Sequence, residues 1–177
     1  FICDYMPDSK KVTAKMFHEL AKALVKAGHV VTCITPRQDY PDKCSDLDGV
    51  TVYRFTSGRV KNVNLVSRLW NELQFSRKAW RLINSTPSIK PDLVVWTSPS
   101  IFWGKCVRKL MCKLNIPSYL VLRDFFPQWI IDKGMIKEKS FMARFFRCYE
   151  KINYETASKI GVMSPNNIIA FNTMTTS

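Results

Sequence analysis

Glycine is scarce in this chain. There are six in 177 residues, with no Gly-x-Gly-x-x-Gly and no Gly-Lys-Ser/Thr run. The usual sequence signs of a dinucleotide site or a P-loop are therefore missing, and any phosphate must be met by Lys and Arg side chains or by helix N-termini. Histidine is scarcer still. His18 and His29 cannot furnish a dense zinc site, and no Ser-His-Asp arrangement stands out. His29 falls in a helix-to-strand turn and reads as structural, and His18 reads as a surface or helix-packing residue. No two of the six cysteines have the two-residue spacing of a zinc knuckle or redox motif. Several lie in apolar runs, so they read as reduced, small core residues of a cytoplasmic protein. No apolar run nears the ~20 residues needed to span a bilayer, and no secretory signal pattern is seen. Acidic residues are few: 14 against 27 Lys and Arg, a net charge of +13. Such a surface attracts phosphates, nucleic acid or an anionic membrane face, and charge alone does not choose among them.

What is present alternates between strand-like and helix-like segments, which predicts a doubly wound parallel α/β sheet with helices on its faces. The segment 1–3 reads as the tail of a first strand. A helix is predicted over 12–27, capped by Gly28. Strands are predicted over 30–35, closed by Pro36, and over 50–55, with a polar loop from 37 to 49 between them. One long amphipathic helix is predicted over 62–84, a strand over 93–96, a basic helix over 101–114 and a strand over 118–122. A helix over 141–158, a strand over 159–163 and a helix opened by Ser164-Pro165 complete the reading. The length fits one domain. The sequence starts inside a strand and stops after a segment that completes nothing, which reads as a fragment.

The most informative run is Arg123-Asp124-Phe125-Phe126-Pro127-Gln128-Trp129, directly after a predicted strand. In open α/β sheets ligands bind outside the carboxyl ends of the strands, so a carboxylate there is a candidate for chemistry or for holding hydroxyl groups. The competing readings of Asp124 are an ion pair with Arg123 or a helix N-cap. Asp46-Leu47-Asp48 matches the Asp-x-Asp pattern of metal-dependent sugar transferases, but two acids at that spacing are common and the pair reads as a solvated loop. The segments 59–81 and 102–113 mix Lys and Arg with aromatics. They suit an anionic membrane surface or, equally, a helix that packs its aromatics on the sheet. No recognised nucleic-acid module accompanies the charge, so nucleic acid is not expected as a partner.

Four segments carry a resemblance to a family. The first is Asp4-Tyr5-Met6-Pro7-Asp8-Ser9, followed by Ala14-Lys15-Met16-Phe17-His18-Glu19-Leu20. The second is Lys26-Ala27-Gly28-His29-Val30-Val31-Thr32 with Thr35-Pro36. The third joins Ser98-Pro99-Ser100-Ile101-Phe102-Trp103-Gly104 to the run 122–129. The fourth is Glu150-Lys151-Ile152-Asn153-Tyr154 with Ala157 and Met163-Ser164-Pro165. Together they resemble the N-terminal domain of family-4 retaining glycosyltransferases of the GT-B type. The similarity is greatest to bacterial O-antigen and capsule enzymes that transfer N-acetyl-L-fucosamine. Two positions depart from the family pattern: the loop after the first strand has no glycine, and Arg123 stands where many members have histidine.

The resemblance implies two Rossmann-like domains with the active site between them. The N-terminal domain, residues 1–177 here, holds the acceptor. The nucleotide sugar, UDP-linked, is held by a C-terminal domain absent from this sequence, so the chain alone should not catalyse transfer. No metal or other cofactor is implied. The expected acceptor is a saccharide on a polyprenyl diphosphate, at the inner face of the bacterial plasma membrane. Asp124 is expected to accept or orient the acceptor's hydroxyl proton. Asp4, Tyr5, Lys15, Ser98, Ser100, Arg123 and Trp129 are expected to bind the acceptor. The alternative is a non-catalytic module that binds anionic lipid or lipid-linked saccharide.

Overall fold

The computed structural model describes residues 1–4, 12–38, 43–60, 62–98 and 100–175. The first helix, α1 (Val12–Lys26), turns Ala14, Phe17 and Ala21 inward at helical spacing. It ends as its sequence predicts. Gly28 adopts φ +89°, the His29 N–H bonds the Leu24 carbonyl at 3.0 Å and the Gly28 N–H bonds that of Val25 at 3.0 Å. This is a Schellman cap, which needs a residue that tolerates the left-handed conformation.

Next come β1 (Thr32–Gln38), β2 (Lys43–Leu47), β3 (Val50–Ser57), α2 (Leu65–Leu73), α3 (Phe75–Ser85), β4 (Val94–Thr97) and α4 (Gly104–Leu114). Then come β5 (Ser118–Leu122), α5 (Gln128–Asp132), α6 (Phe141–Thr156), β6 (Lys159–Val162) and α7 (Pro165–Thr175). β1 and β4–β6 run parallel to their neighbours, and among the described residues only β2 pairs antiparallel. Ile2 bridges both Ile34 of β1 and Trp96 of β4 in parallel, so the segment 1–3 joins the two three-stranded groups. Counted from that segment, the parallel strands lie in the order 3-2-1-4-5-6, that of the doubly wound Rossmann fold. The expected α/β class is what the chain adopts.

Three apolar clusters hold the layers. α3 and α4 pack on one face of the sheet through Phe75, Ala79, Cys106 and Leu110 against Ile34, Trp96 and Leu120. Ala21 of α1 packs with Cys3, Cys33, Val50 and Val52 in a second cluster. The third gathers Ile101, Phe102, Ile130 and Phe146, with Leu69 and Leu73 of α2 against it. Gly104 lets α4 approach α6 closely, since a Cβ there would lie 2.7 Å from the Asn153 Oδ1 atom and 3.1 Å from its Cα.

Several expectations need correction. β1 does not close at Pro36. The Ile34 N–H points to the segment 1–3, bonding the Phe1 carbonyl at 2.8 Å, and Pro36 shares its parity, so the missing N–H faces away from β3 and that ladder continues to Gln38. The predicted loop 37–49 contains strand β2, a polar edge strand joined to β3 by a two-residue hairpin turn. Asp48 and Gly49 take φ 54° and 80° there. The predicted long helix is two, broken at Gln74, because its halves serve different clusters: Leu69 and Leu73 the third, Phe75, Ala79 and Ile83 the first. The cysteines divide evenly. Cys3, Cys33 and Cys106 are buried and Cys44, Cys112 and Cys148 are exposed, none of them in a disulfide among the described residues.

Candidate active site

The strand order fixes where a ligand can enter. Strand order reverses between the segment 1–3, whose chain continues into α1 by way of residues 5–11 outside the described set, and β4, which leads to α4 on the opposite face. That is the switch point where an open α/β sheet forms its crevice. Extending the registers puts Asp4 level with Ser98 and Ser98 level with Leu122, so Arg123 follows one residue further along the carboxyl edge. Adjacent strands lie about 4.8 Å apart, so polar groups from three loops share one short row.

Ser98 is the link in that row. It is 1% exposed, and its Oγ accepts the Arg123 backbone N–H at 3.0 Å and lies 3.4 Å from the Asp124 backbone nitrogen. The side chain thus fixes the entry of the Arg-Asp loop rather than pointing outward. Arg123 reaches across the cleft mouth, where its Nη1 donates to the Thr13 Oγ1 at the start of α1. Its Nε is buried without a partner among the described residues. Asp124 is exposed, and its carboxylate makes no ion pair with Arg123 among the described residues. Neither competing reading of Asp124 describes it: it is not in a local ion pair, and α5 begins only at Gln128. Ser100 is 7% exposed with its Oγ unpartnered.

Asp4 is 9% exposed and accepts the Trp103 indole N–H at 2.8 Å. Trp103 is itself fully buried, stacked on Phe75 at 5.3 Å between ring centres and edge-on to Phe55 at 6.2 Å. An indole N–H in such a core needs a partner, and Asp4 supplies it. One Asp4 oxygen therefore anchors the first loop to α4. Lys15 is exposed on α1, Trp129 is 41% exposed on α5, and Tyr5 lies outside the described residues. The structure thus brings Asp4, Ser98, Ser100, Arg123 and Asp124 to one edge, with Lys15 and Trp129 on helices that begin beside it.

Two features were missed in the sequence. Thr35 lies level with Cys3 on β1, 2% exposed, with its Oγ1 unpartnered. Its signal was position alone, on the strand beside the segment 1–3. The second feature is the brace under the 123–129 loop. Arg147 of α6 donates from Nη2 to the Gln128 Oε1 and from Nη1 to the Glu150 Oε2 at 2.8 Å, and the Tyr154 hydroxyl donates to the Glu150 Oε1 at 2.9 Å. Burial, with Glu150 alongside, pushes the Tyr154 phenol up, so it remains a donor. Phe126 packs on Phe146 at 4.9 Å, and the Phe126–Pro127 peptide is cis.

The remaining candidates resolve into structure. Asp46 Oδ1 accepts the Gly49 N–H at 3.1 Å, and Asp48 Oδ2 lies 2.8 Å from the His18 Nε2. Both acids of the Asp-x-Asp motif therefore shape the β2–β3 hairpin and tie it to α1. In the segment 102–113 the aromatics face inward: Phe102 and Trp103 are core residues, and the exposed Lys109 and Lys113 lie over the Trp80 ring at 5.8 and 5.7 Å. A groove of about 840 Å³ lies apart from the switch point, walled by Phe55, Thr56, Lys78, Trp80 and Arg81, and includes none of the predicted site residues.

The model of Glycosyltransferase Family 4 matches residues 13–166, most of the chain. The chain belongs to that family. No curated protein matches it closely. A family-4 domain is a Rossmann-like GT-B domain that works in glycosyl transfer, so a sugar-containing acceptor is its general substrate class. No helix among the described residues is long and apolar enough to cross a membrane.

Proposed function

We propose that this chain is the acceptor-binding half of a retaining glycosyltransferase for surface polysaccharide, with the nucleotide sugar held by a second domain. The observation that carries the reading is the row of polar groups at the switch point. Ser100 Oγ, Thr35 Oγ1 and Arg123 Nε are buried there without partners among the described residues, and the exposed Asp124 carboxylate follows directly. A buried polar atom without a partner is costly, and an incoming hydroxyl or phosphate oxygen would satisfy it. In this reading Asp124 accepts or orients the proton of the attacking hydroxyl, and Arg123 meets a phosphate of a polyprenyl-diphosphate-linked acceptor. Ser98 and Asp4 hold the two loops, and Lys15 and Trp129 line the entrance. The donor is a UDP-linked hexosamine of the N-acetyl-L-fucosamine type, and the enzyme works at the inner face of a bacterial plasma membrane.

Metal independence is part of the proposal. Its support is that Asp46 and Asp48 are committed to the hairpin and to His18. Transfer unaffected by EDTA is the expected result.

Binding of a short-chain polyprenyl-diphosphate-linked N-acetylhexosamine, followed by titration calorimetry, tests the acceptor role. Arg123→Gln should weaken binding about tenfold or more, as loss of a charge-assisted bond does. Absence of binding by the unmodified chain, or equal affinity in the variant, contradicts the reading. Binding without transfer by the full reading frame from any nucleotide sugar supports the non-catalytic module instead.

A further inference from the structure

We infer that the face built by residues 129–144, at the end of the molecule next to the Asp124 loop, docks on an anionic lipid bilayer. This names the membrane contact of the proposed function and rests on that reading, but it places the contact away from the basic segments 59–81 and 102–113.

The argument starts from which large apolar side chains are left in water. Trp129 is 41% exposed, Met135 67%, Phe141 84% and Met142 36%. All four fall within fourteen residues of sequence. They lie outside the third apolar cluster, whose inward members from the same stretch are Ile130 and Ile136. Ordinary folding has therefore already used the inward side of α5 and α6; Trp129 touches Phe126 at 6.2 Å between ring centres, yet all four outward groups keep large apolar areas in water. Phe141 is the sharpest case. Ser140 caps α6, its Oγ accepting the Ala143 N–H at 3.1 Å, and so fixes the helix start with Phe141 in its first turn, projecting into solvent.

Charge selects the partner. Lys133, Lys137, Lys139 and Arg144 are exposed among these apolar groups, against two acids, Asp132 and Glu138. Lys133 Nζ stands 5.3 Å from the centre of the Trp129 ring. Exposed aromatic and aliphatic side chains interleaved in sequence with cations match the layer where acyl chains meet anionic headgroups. A second copy of this chain, itself at +13, would set like charge against like. The segment also continues directly from the Asp124 loop through α5, so docking here would bring a lipid-borne acceptor to the cleft.

The test is co-sedimentation of the protein with vesicles of phosphatidylcholine alone or mixed with phosphatidylglycerol, with no sugar transfer involved. Failure here is therefore distinct from failure of the enzymatic reading. The unmodified protein should bind the mixed vesicles and not the neutral ones. Phe141→Ser and Met135→Ser, both at exposed positions, should each lower partitioning about tenfold. The triple change of Lys133, Lys137 and Lys139 to Gln should lower it about a hundredfold on anionic vesicles. Changing Lys105, Arg108 and Lys109 on α4 to Gln removes the same charge elsewhere and should cost several-fold at most. Equal losses from the two triple variants, no loss from Phe141→Ser, or a salt-independent dimer that Phe141→Ser dissolves would each overturn the inference.

Discussion

Trp103 and Trp129 follow the same kind of sequence, a strand, a short polar loop and then aromatics beside basic residues, and they end in opposite environments. Trp103 is fully buried and donates to Asp4, while Trp129 is 41% exposed under Lys133. The difference lies in what each loop must cover. The β4 exit sits at the centre of the sheet, where Phe55 and Phe75 already wait to pack, so aromatics there close the core and hold the first loop. The β5 exit leads to α5 at the third cluster, whose inward places are taken by Ile130, Phe146 and Phe126. Aromatic character in a basic stretch is thus a core signal in one loop and a surface signal in the next, decided by distance from the sheet's centre.

The largest expected effect breaks the buried side of this contrast. Trp103→Ala should cost about 3–5 kcal/mol of stability, as large aromatic truncations in a core do, while Trp129→Ala should cost less than about 1 kcal/mol. Denaturant unfolding of both variants measures it, and similar losses would erase the distinction. Next is the brace beneath the exposed side. Arg147→Ala leaves Glu150, 5% exposed, without its cation and Gln128 without its donor. A loss of about 1–3 kcal/mol is expected, and Arg147→Lys should recover only part of it because one ammonium cannot span both acceptors as the guanidinium fork does.

Thiol labelling sharpens the comparison without mutation. Burial pushes the Cys106 thiol up to about 12. The Cys3 thiol, 3.5 Å from that of Cys33, is also pushed up, by that bond and by burial. Thiols held neutral are poor nucleophiles, and Cys33 beside Cys3 is wholly enclosed, at 0% exposure. Iodoacetamide at mildly alkaline pH should therefore modify Cys44, Cys112 and Cys148 in the native protein and the other three only on unfolding. The smallest effect concerns the α1–hairpin tie. The bond to His18, with Lys22 nearby, holds the Asp48 carboxyl below its ordinary value. Its contribution to stability is therefore present above the ordinary carboxylate value of about 4 and is lost as pH falls through the lower folded value. The stability gap between the unmodified protein and Asp48→Asn should shrink below about pH 4, as denaturation at several pH values would show.

Much of the fold was legible because the helices and buried strands announce themselves by period. Residues 118–122 form a strand as the apolar run predicts, and Gly28 ends α1 where its left-handed conformation is required. β2 was not legible by period, since an edge strand with residues 44–47 exposed or half-buried has no apolar face to write into the sequence. Its hairpin was signalled by Asp48-Gly49, a pair suited to a turn with two positive φ angles, and the acids at 46 and 48 drew attention away from it. At the site, the position of Arg123 and Asp124 after a strand was readable. The roles of Asp4 and Ser98 were not, because an anchoring bond to Trp103 or to a backbone N–H depends on which loops the sheet order brings together.

The most direct measurement is sugar transfer by the enzyme expressed from its full reading frame, with UDP-N-acetyl-L-fucosamine and a lipid-linked saccharide, comparing the unmodified protein with Asp124→Asn. The exposed carboxylate should be dispensable for folding and required for reaction. Transfer should therefore fall by about a hundredfold or more while the unfolding midpoint stays unchanged, as expected when a group that handles the reacting proton is removed. Undiminished transfer by Asp124→Asn, or a loss matched by collapse of the fold, would contradict the account.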